Sequence, residues 1–196
     1  MSSDPPYPTT ATIVLTVGQS NVSLVDLLDS LRLRGVRRIV DVRSAPYSRF
    51  VPHFNRDALE AALEESGIAY GYAGEYLGGR PTDPTCYFAG ELPDGKGNYL
   101  ELVNYAEVAR RDWYLRGIDR LIERAVHNST AILCSEEDPA RCHRHRLIAR
   151  TLMERGIDVN HMRAHGGLEP ASATEARILA EENSAQLGLF DALESR

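Results

Sequence analysis

Cysteine, long apolar runs and lysine are all scarce in this chain of 196 residues, and each scarcity excludes a class of protein. With three cysteines, two of them in one short motif, the chain is not a disulfide-stabilised scaffold, and a reducing compartment is expected. No apolar run approaches the ~20 residues that a membrane-spanning helix needs. The first ten residues lack the basic and apolar regions of a secretory signal. We therefore expect a cytoplasmic protein with no membrane partner.

Lysine is nearly absent: Lys96 is the only one, so arginine supplies almost all of the positive charge. Guanidinium groups are planar and can bind phosphate or carboxylate through two hydrogen bonds at once. The formal net charge of −6 argues against a protein that coats nucleic acid generally, but it leaves room for a local basic site. The charge pattern is therefore compatible with an anionic small molecule or a nucleic acid as partner.

A hydrophobic content of 43% and a charged content of 26% are typical of a soluble globular domain that is long enough to bury a core. β-Branched runs alternate along the chain with segments of helical spacing. Such alternation predicts an α/β fold: an open, mostly parallel sheet with helices on both faces, in one domain. The predicted boundaries are a disordered lead (1–11), the α/β domain (12–170) with a long loop (81–99), and a C-terminal helix and tail (171–196).

The segment 131–144 carries the densest chemistry in the sequence. An apolar run ends at Cys134, an acidic loop follows, and a helical pattern then opens on a Cys-His-Arg triplet. Ligands of α/β proteins bind beyond the carboxyl ends of parallel strands, and a helix N-terminus favours anions. A thiol in this position, near arginines and a histidine, is expected to be reactive. We predict Cys134 as nucleophile, His143 as base or orienting group, Glu136 as proton acceptor or orienting group, and Cys142 and Arg144 as anion contacts.

Polar residues also follow the second predicted strand. Asp41 and Arg43 alternate, so their side chains share one face of the strand end. Two interpretations stay open: an Asp41–Arg43 pair that braces the loop, or a substrate contact in which Asp41 orients or accepts a proton. A later Gly-Gly pair would let backbone approach a ligand. The predicted anion or substrate contacts near these strand ends are Gly18, Ser20, Arg43, Ser44, Ser48, Arg49, Gly78 and Gly79.

Metal binding is an alternative function for the segment 131–144, which we call the cysteine loop. Cys134, Cys142 and His143, with His145 or a carboxylate, are residue types that hold zinc. Adjacent residues on a helix point about 100° apart, however, so the thiol interpretation ranks first and no metal is predicted. A second alternative makes both cysteines buried hydrophobes, with a Glu136–Arg144 ion pair across the loop. The sequence identifies no cofactor, and the other histidines are expected to be ordinary surface or loop residues: His53, His127, His145, His161 and His165.

Four motifs of the chain occur together: TVGQS at 16–20, DVR at 41–43 followed by Pro46 and Ser48, LGG at 77–79, and C-x-E at 134–136 leading to CHR at 142–144. In this combination the chain resembles the DUF488 family, a widespread prokaryotic family of unassigned function. The resemblance runs from about residue 12 to residue 162. It implies an α/β fold and a shared site built from the first two strand ends and the cysteine loop, and it implies no established reaction.

The chain is also similar, more loosely, to rhodanese-type domains. DVR at 41–43 follows a strand, as their strand-end motif does, and Cys134 is followed by an amphipathic helix and by terminal glycines at 166–167. This similarity implies that Cys134 is a persulfide-forming nucleophile or one that attacks arsenate or phosphate. The leading hypothesis is a cysteine-loop enzyme that acts on an anionic substrate, with nucleotides and nucleic acids included in that class.

A separate motif lies near the C-terminus, where the segment Gln186-Leu187-Gly188-Leu189-Phe190 is similar to the bacterial sliding-clamp binding pentapeptide. In this interpretation the apolar side chains at 187, 189 and 190 fill a pocket while Gln186 orients the peptide. The competing interpretation is that these apolar side chains pack onto the domain's own core. The alternative function is therefore a non-catalytic adaptor in DNA replication or repair that binds the sliding clamp.

Overall fold

The computed structural model describes residues 12–19, 22–95 and 97–194, with side chains as far as Gln186. Within these residues, six strands form one sheet in the order β3-β2-β4-β1-β5-β6. Neighbouring strands are parallel except for the β5–β6 pair, so the predicted α/β fold with an open, mostly parallel sheet is confirmed. The strands are β1 (Ile13–Gly18), β2 (Arg38–Asp41), β3 (Ala69–Tyr72), β4 (Thr130–Cys134), β5 (Asp158–Met162) and β6 (Leu168–Pro170).

The helices begin and end at residues that the sequence marks. Ser23 accepts a hydrogen bond from the backbone N–H of Asp26 at 3.1 Å and so caps the first helix, as its residue type predicts. The helices in the described part of the chain are α1 (Leu24–Leu33), α2 (Arg56–Glu65), α3 (Gly74–Leu77), α4 (Tyr99–Leu102), α5 (Tyr105–Val108), α6 (Asp112–His127), α7 (Arg150–Glu154) and α8 (Ala171–Glu194).

Apolar side chains pack on both faces of the sheet, which is why the central strands β1 and β4 are largely apolar. Along β4, Ala131 and Leu133 belong to the cluster that covers one face, whereas Ile132 belongs to the cluster on the other face. Helices α1 and α2 bury leucines in the first cluster, and the amphipathic α6 buries Ile118, among others, in the second. The two clusters hold the strands in register, so the carboxyl ends of β1, β2 and β4 lie at one edge of the sheet.

Several details differ from the predicted elements. The last helix is longer than its apolar pattern indicates and runs to Glu194, while the three-residue strand β6 carries no detectable periodicity in the sequence. Asn55 precedes α2, but its side chain accepts the backbone N–H of Ser48 at 2.6 Å instead of capping the helix. The loop at 81–99 holds a short 3₁₀ helix that buries Cys86. Among the described helices, none combines the length and the apolar character that a membrane span requires.

Candidate functional site

The candidate site forms where three neighbouring strands end. Strand β4 lies between β1 and β2, and Gly18 of β1 pairs with Cys134 of β4. The backbone N–H of Gln19 donates to the carbonyl of Cys134 at 3.0 Å, and that of Val42 donates to the carbonyl of Leu133 at 3.0 Å. These bonds extend the parallel pairing by one residue beyond each flanking strand. The loops after the three strands therefore start side by side at the same end of the sheet, and Cys134 lies between the loop after β1 and the loop after β2.

The backbone of the cysteine loop turns two adjacent side chains toward Cys134. A 3₁₀ helix spans Pro139–Arg141, and Cys142 after it is extended, with φ −137° and ψ 142°. His143 is already helical, with φ −61° and ψ −22°, and precedes a π-helical turn at Arg144–Ala149. The sequence prediction placed Cys142 and His143 on one helix with diverging side chains. Because Cys142 is extended instead, both side chains lie close to the sulfur of Cys134.

The imidazole ring of His143 faces both sulfur atoms. Its Nδ1 lies 3.6 Å from Sγ of Cys134 and 3.9 Å from Sγ of Cys142, while its Nε2 lies 3.2 Å from the carbonyl oxygen of Val42. A carbonyl oxygen only accepts, so Nε2 carries a hydrogen, and the uncharged tautomer that fits this bond leaves Nδ1 free to accept from a thiol. Gly79 packs against the ring, since a Cβ at that position would lie 2.6 Å from Cγ of His143. The ring is thus held as a proton acceptor for a thiol.

The two thiols differ in their affinity for a proton. The hydrogen bond to Cys142, together with burial, raises the pKa of Cys134 well above that of an ordinary thiol. Burial acts to raise the pKa of Cys142 as well, but the hydrogen bond from Cys134 and the nearby positive charge of Arg144 outweigh it. The pKa of Cys142 is lowered well below its ordinary value as a result. These directions make Cys142 the thiol of the pair that ionises more readily, whereas the sequence prediction named Cys134 as the nucleophile.

Arg144 positions the loop from beneath and does not line the cavity. Its side chain is fully buried, and the guanidinium donates to the backbone carbonyl oxygens of Glu136 and, at 2.5 Å, of Glu137. Its Nε donates to Oγ1 of Thr16 at 3.2 Å. The expected anion contact is absent from this geometry, and so is the alternative ion pair, because Arg144 meets the carbonyl and not the carboxylate of Glu136. The guanidinium instead fixes the curvature of the cysteine loop and supplies a charge below the thiols.

Asp41 and Arg43 form the buried pair that one of the two open interpretations described. The Asp41 carboxylate accepts from Nε of Arg43 at 2.9 Å and from Nη2 at 2.6 Å, and it also accepts from the hydroxyl of Tyr70 at 2.7 Å. Nη1 of Arg43 donates to Oε1 of Gln19 and to the carbonyl of Phe54. Burial, followed by the charge of Asp41, raises the pKa of Tyr70. Asp41 is fully buried away from the cavity, so it braces Arg43, which does line the cavity.

A cavity of about 930 Å³ opens beside the three strand ends. Its lining includes Cys134, Cys142 and His143, so the structure brings Arg43 and both sulfur atoms to one opening. Four arginines and two glutamates are among the lining residues; of these arginines, Arg43 is paired with Asp41, and Arg146 is paired with Glu182 at 3.1 Å. The sequence-predicted contacts that line the cavity are Arg43, Ser44, Gly79, Cys134, Glu136, Cys142 and His143.

The other predicted contacts lie elsewhere. Gly18 and Gly78 serve close packing: a Cβ on Gly18 would collide with the carbonyl of Glu136, and one on Gly78 would lie 2.5 Å from Oγ of Ser44. Ser48 bonds within its own loop, accepting the N–H of Phe50 at 3.2 Å. Arg49 is exposed and stacks on the ring of Phe50, and Ser20 lies outside the described residues.

Three arginines of the cavity wall were not predicted from the sequence. Arg80 lies over the ring of Tyr99, 4.3 Å from its centroid, and Arg141 and Arg146 come from the cysteine loop and the turn after it. Tyr105 also lines the cavity and donates to the carbonyl of Gly79 at 3.2 Å. Burial raises the pKa of this tyrosine. The unusual length of the loop at 81–99 could have indicated only the part of the wall at 97–99.

Two histidines that were expected at the surface are instead fully buried. Nδ1 of His161 lies 2.7 Å from Oγ1 of Thr16, and its Nε2 lies 3.0 Å from Nδ1 of His145. Nε2 of His145 bonds to the carboxylate of Glu175 at 3.0 Å. Because Arg144 can only donate and Glu175 accepts, every hydrogen bond in the chain Arg144–Thr16–His161–His145–Glu175 has one direction. The expectation of ordinary surface histidines was wrong at these two positions, because sequence spacing does not reveal partners from distant strands.

The acidic part of the cysteine loop is anchored by arginines. Glu137 pairs with Arg163 at 2.9 Å, and Asp138 pairs with Arg177 of α8 at 2.6 Å. The hydrogen bonds from Arg163 and Arg177 lower the pKa of each carboxyl, against the opposing effect of partial burial. These acids therefore bind the loop to α8 and to the end of β5, while Glu136 remains exposed at the cavity.

The segment 186–190 belongs to α8, whose backbone is helical to Glu194. Gln186 is exposed, as are the five residues before it. The side chains of Leu187, Leu189 and Phe190 lie outside the described residues.

One group of side chains has the composition and spacing of a metal site. Sγ of Cys134, Sγ of Cys142 and Nδ1 of His143 all lie within 4.8 Å of one another in the described part of the chain. All three residues line the cavity. The three ligand atoms are close enough together to bind a single cation.

Residues 23–152 match the family model described as "Domain of unknown function DUF488". No curated protein matches the chain, and no solved structure matches it. The matched segment contains β2, β3, β4 and the cysteine loop, and hence most of the cavity wall.

Proposed function

Because the chain belongs to the DUF488 family, whose description assigns no function, we propose a function from the site itself: a thiol-dependent enzyme that binds an anionic substrate in the cavity. The observation that carries this proposal is that Nδ1 of His143 faces the sulfurs of Cys134 and Cys142 at the base of an arginine-rich cavity. Nucleophile, base and cations within one cavity are the groups that nucleophilic catalysis requires.

In this proposal the sulfur of Cys142 is the nucleophile. It accepts the backbone N–H of Arg144 at 3.4 Å, a hydrogen bond that favours the thiolate. His143 removes the thiol proton through Nδ1. A bond then forms between the sulfur and the electrophilic atom of the substrate, while the bond to the leaving group breaks and His143 returns the proton to that group. Water releases the product from the sulfur, and Cys134 donates a hydrogen bond to Cys142 between turnovers.

Arginines of the wall select the charge of the substrate. Arg141 is exposed at the cavity, and Arg80 and Arg146 flank it, so a phosphate or carboxylate would gain charge-assisted hydrogen bonds there. Nucleotides and nucleic acids are the phosphate-bearing substrates in this class, and the tyrosines of the wall would offer them stacking surfaces. The loose likeness to rhodanese-type domains stays a prediction about which group the sulfur attacks.

Alkylation of the reduced chain with two reagents tests the proposal. Iodoacetamide is neutral and iodoacetate is an anion of nearly the same shape. We expect the sulfur of Cys142 to react at least about tenfold faster than a free thiol near neutral pH, because only a few per cent of a free thiol is ionised there. We also expect Cys142 to prefer iodoacetate over iodoacetamide more strongly than a free cysteine derivative does. This preference should decrease in Arg141→Gln. Peptide mass spectrometry measures the rates.

Cys86 is the internal control, since it is fully buried outside the cavity and burial raises its pKa. If neither Cys134 nor Cys142 is alkylated faster than Cys86, the enzyme proposal is refuted. If they react rapidly but without preference for iodoacetate, the anionic substrate is refuted and the thiol chemistry remains.

A second candidate function, the clamp-binding adaptor, is favoured by the exposure of α8 before and at Gln186. An exposed helix end can offer a short peptide to a partner at little cost in native packing. We expect the immobilised full chain to retain a bacterial sliding clamp and the variant Phe190→Ala to retain none. Retention that is absent, or that is unchanged in Phe190→Ala, would remove this candidate.

A further inference from the structure

We propose that Cys134, Cys142 and His143 form a zinc-binding site with three protein ligands and a fourth position open to the cavity. The ring nitrogen is already at the right separation from both sulfurs. In a tetrahedral site with Zn–S near 2.3 Å and Zn–N near 2.0–2.1 Å, sulfur and nitrogen ligands lie about 3.6 Å apart. Nδ1 of His143 lies 3.6 Å and 3.9 Å from the two sulfurs. The two sulfurs lie within 4.8 Å of each other, and a tetrahedral zinc ion with Zn–S near 2.3 Å would hold them about 3.8 Å apart, so closing the site needs a shift of at most about 1 Å.

The extended backbone at Cys142 is what makes this possible. Two ligands that are adjacent in sequence diverge on a regular helix, but here Cys142 is extended and His143 is the first helical residue. Cys142 therefore points back toward the strand that bears Cys134. The site uses one ligand from a strand end, one from the extended residue before the following helix and one from the first residue of that helix.

The groups around the three ligands are those of a metal site. A histidine ligand is oriented by a hydrogen bond from its other ring nitrogen, and Nε2 of His143 donates to the carbonyl of Val42. A bound thiolate is commonly stabilised by a backbone N–H, and Cys142 accepts that of Arg144. Two thiolates would neutralise the double charge of the ion. Carboxylate ligands are not required, although Glu136 lies on the same cavity.

The fourth position would be filled by water or by a ligand in the cavity. Zinc sites in which three protein ligands leave one position open are reactive, whereas structural sites are closed by four. Both sulfurs would be occupied in the zinc form, so zinc would block the thiol reaction. That consequence, unlike the binding itself, rests on the proposed function.

Metal titration of the full-length chain tests the site. The chain is reduced, freed of metal with a chelator that is then removed, and titrated with zinc chloride against a coloured competing chelator. We expect one zinc per chain. Cobalt(II) chloride in place of zinc should give the sulfur-to-cobalt charge-transfer band of two thiolates and the visible bands of a four-coordinate ion.

Three variants and one control assign the ligands. Cys134→Ser and Cys142→Ser should each halve the charge-transfer band. Each should also weaken zinc binding by more than the ~10–100-fold that loss of a supporting partner costs. His143→Gln should keep the sulfur band and weaken binding, and Cys86→Ser should behave as the unaltered chain does. Circular dichroism confirms that each variant is folded.

Two results would overturn the zinc site. One is a cobalt spectrum without a sulfur band in the unaltered chain, which no folding defect can explain. The other is zinc binding that survives in both Cys134→Ser and Cys142→Ser. The zinc site and the enzyme fail separately, because binding is measured without substrate, and reactivity toward iodoacetamide is measured in the metal-free chain. Zinc should protect Cys134 and Cys142 from alkylation if both proposals hold.

Discussion

Lowering the pH should destabilise the protein through the buried His161. Its side chain is fully buried and both ring nitrogens are hydrogen-bonded, to Thr16 and to His145. A second proton on the ring would place a charge among neutral partners and near the guanidinium of Arg144. Burial, followed by the charge of Arg144, lowers the pKa of His161 from 6.5 to about 2. The folded protein therefore keeps this ring neutral at any mildly acidic pH.

The sign and size of the effect follow from linkage. The folded pKa lies below the unfolded one, so between about pH 6.5 and pH 2 the unfolded chain binds a proton that the folded chain does not. Stability is then complete above the unfolded pKa and falls as the pH drops below it. At ~1.36 kcal/mol for each pH unit below the unfolded pKa, the loss from His161 alone is roughly 2–3 kcal/mol between about pH 6.5 and pH 4.5.

Urea denaturation at a series of pH values measures this loss. Burial also lowers the pKa of His145, so the total slope of the unaltered chain is steeper than one histidine explains. His161→Gln cannot titrate. Its free energy of unfolding should fall by roughly 2–3 kcal/mol less than that of the unaltered chain over the same interval, whatever its stability at neutral pH. The same replacement at the exposed His127 is the matched control. Parallel pH curves for the unaltered chain and His161→Gln would refute the reasoning.

Three further replacements test how the site is held. Asp41→Asn leaves the Arg43 guanidinium buried without its counter-charge and should cost about 3–5 kcal/mol in urea denaturation. A cost below about 1 kcal/mol would mean that the pair does not brace the loop. Tyr70→Phe removes one hydrogen bond from the same carboxylate and should cost about 1–3 kcal/mol, less than Asp41→Asn; the opposite order would contradict this ranking. Gly79→Ala places a Cβ 2.6 Å from Cγ of His143 and should slow cysteine alkylation in a folded protein by displacing the ring. Unchanged alkylation rates would show that the ring position is not needed.

The central strands β1 and β4 were predictable from the sequence because each is a short, largely apolar run that neighbours a segment of helical spacing. Threonine is the only polar residue type in Ile13–Gly18 and in Thr130–Cys134, so the burial of these strands appears in the sequence as nearly continuous apolar character. Chain direction then places their carboxyl ends at one edge. That β2 and β4 are neighbours, and hence that Arg43 lies near Cys134, was decided by the strand order.

Roles within the site were less predictable, because they depend on hydrogen-bond partners from distant parts of the chain. Asp41 and Arg43 could be a pair or a substrate contact until the structure placed Tyr70 and Gln19 beside them. Arg144 could have faced an anion, yet it donates to backbone carbonyls. Periodicity reports which face of an element is apolar and says nothing about which donor meets which acceptor.

The sequence by itself thus determined the α/β sheet, the edge at which the site lies and the residue types that meet there. Only the tertiary structure decided that Cys142 is extended, that His143 faces two sulfurs, and that His161 is buried. The physical reason is the distance along the sequence over which the deciding interactions act. Strand and helix patterns arise from neighbours within a few residues, whereas the position of a single polar side chain is set by partners more than a hundred residues away, as Thr16 and His161 are.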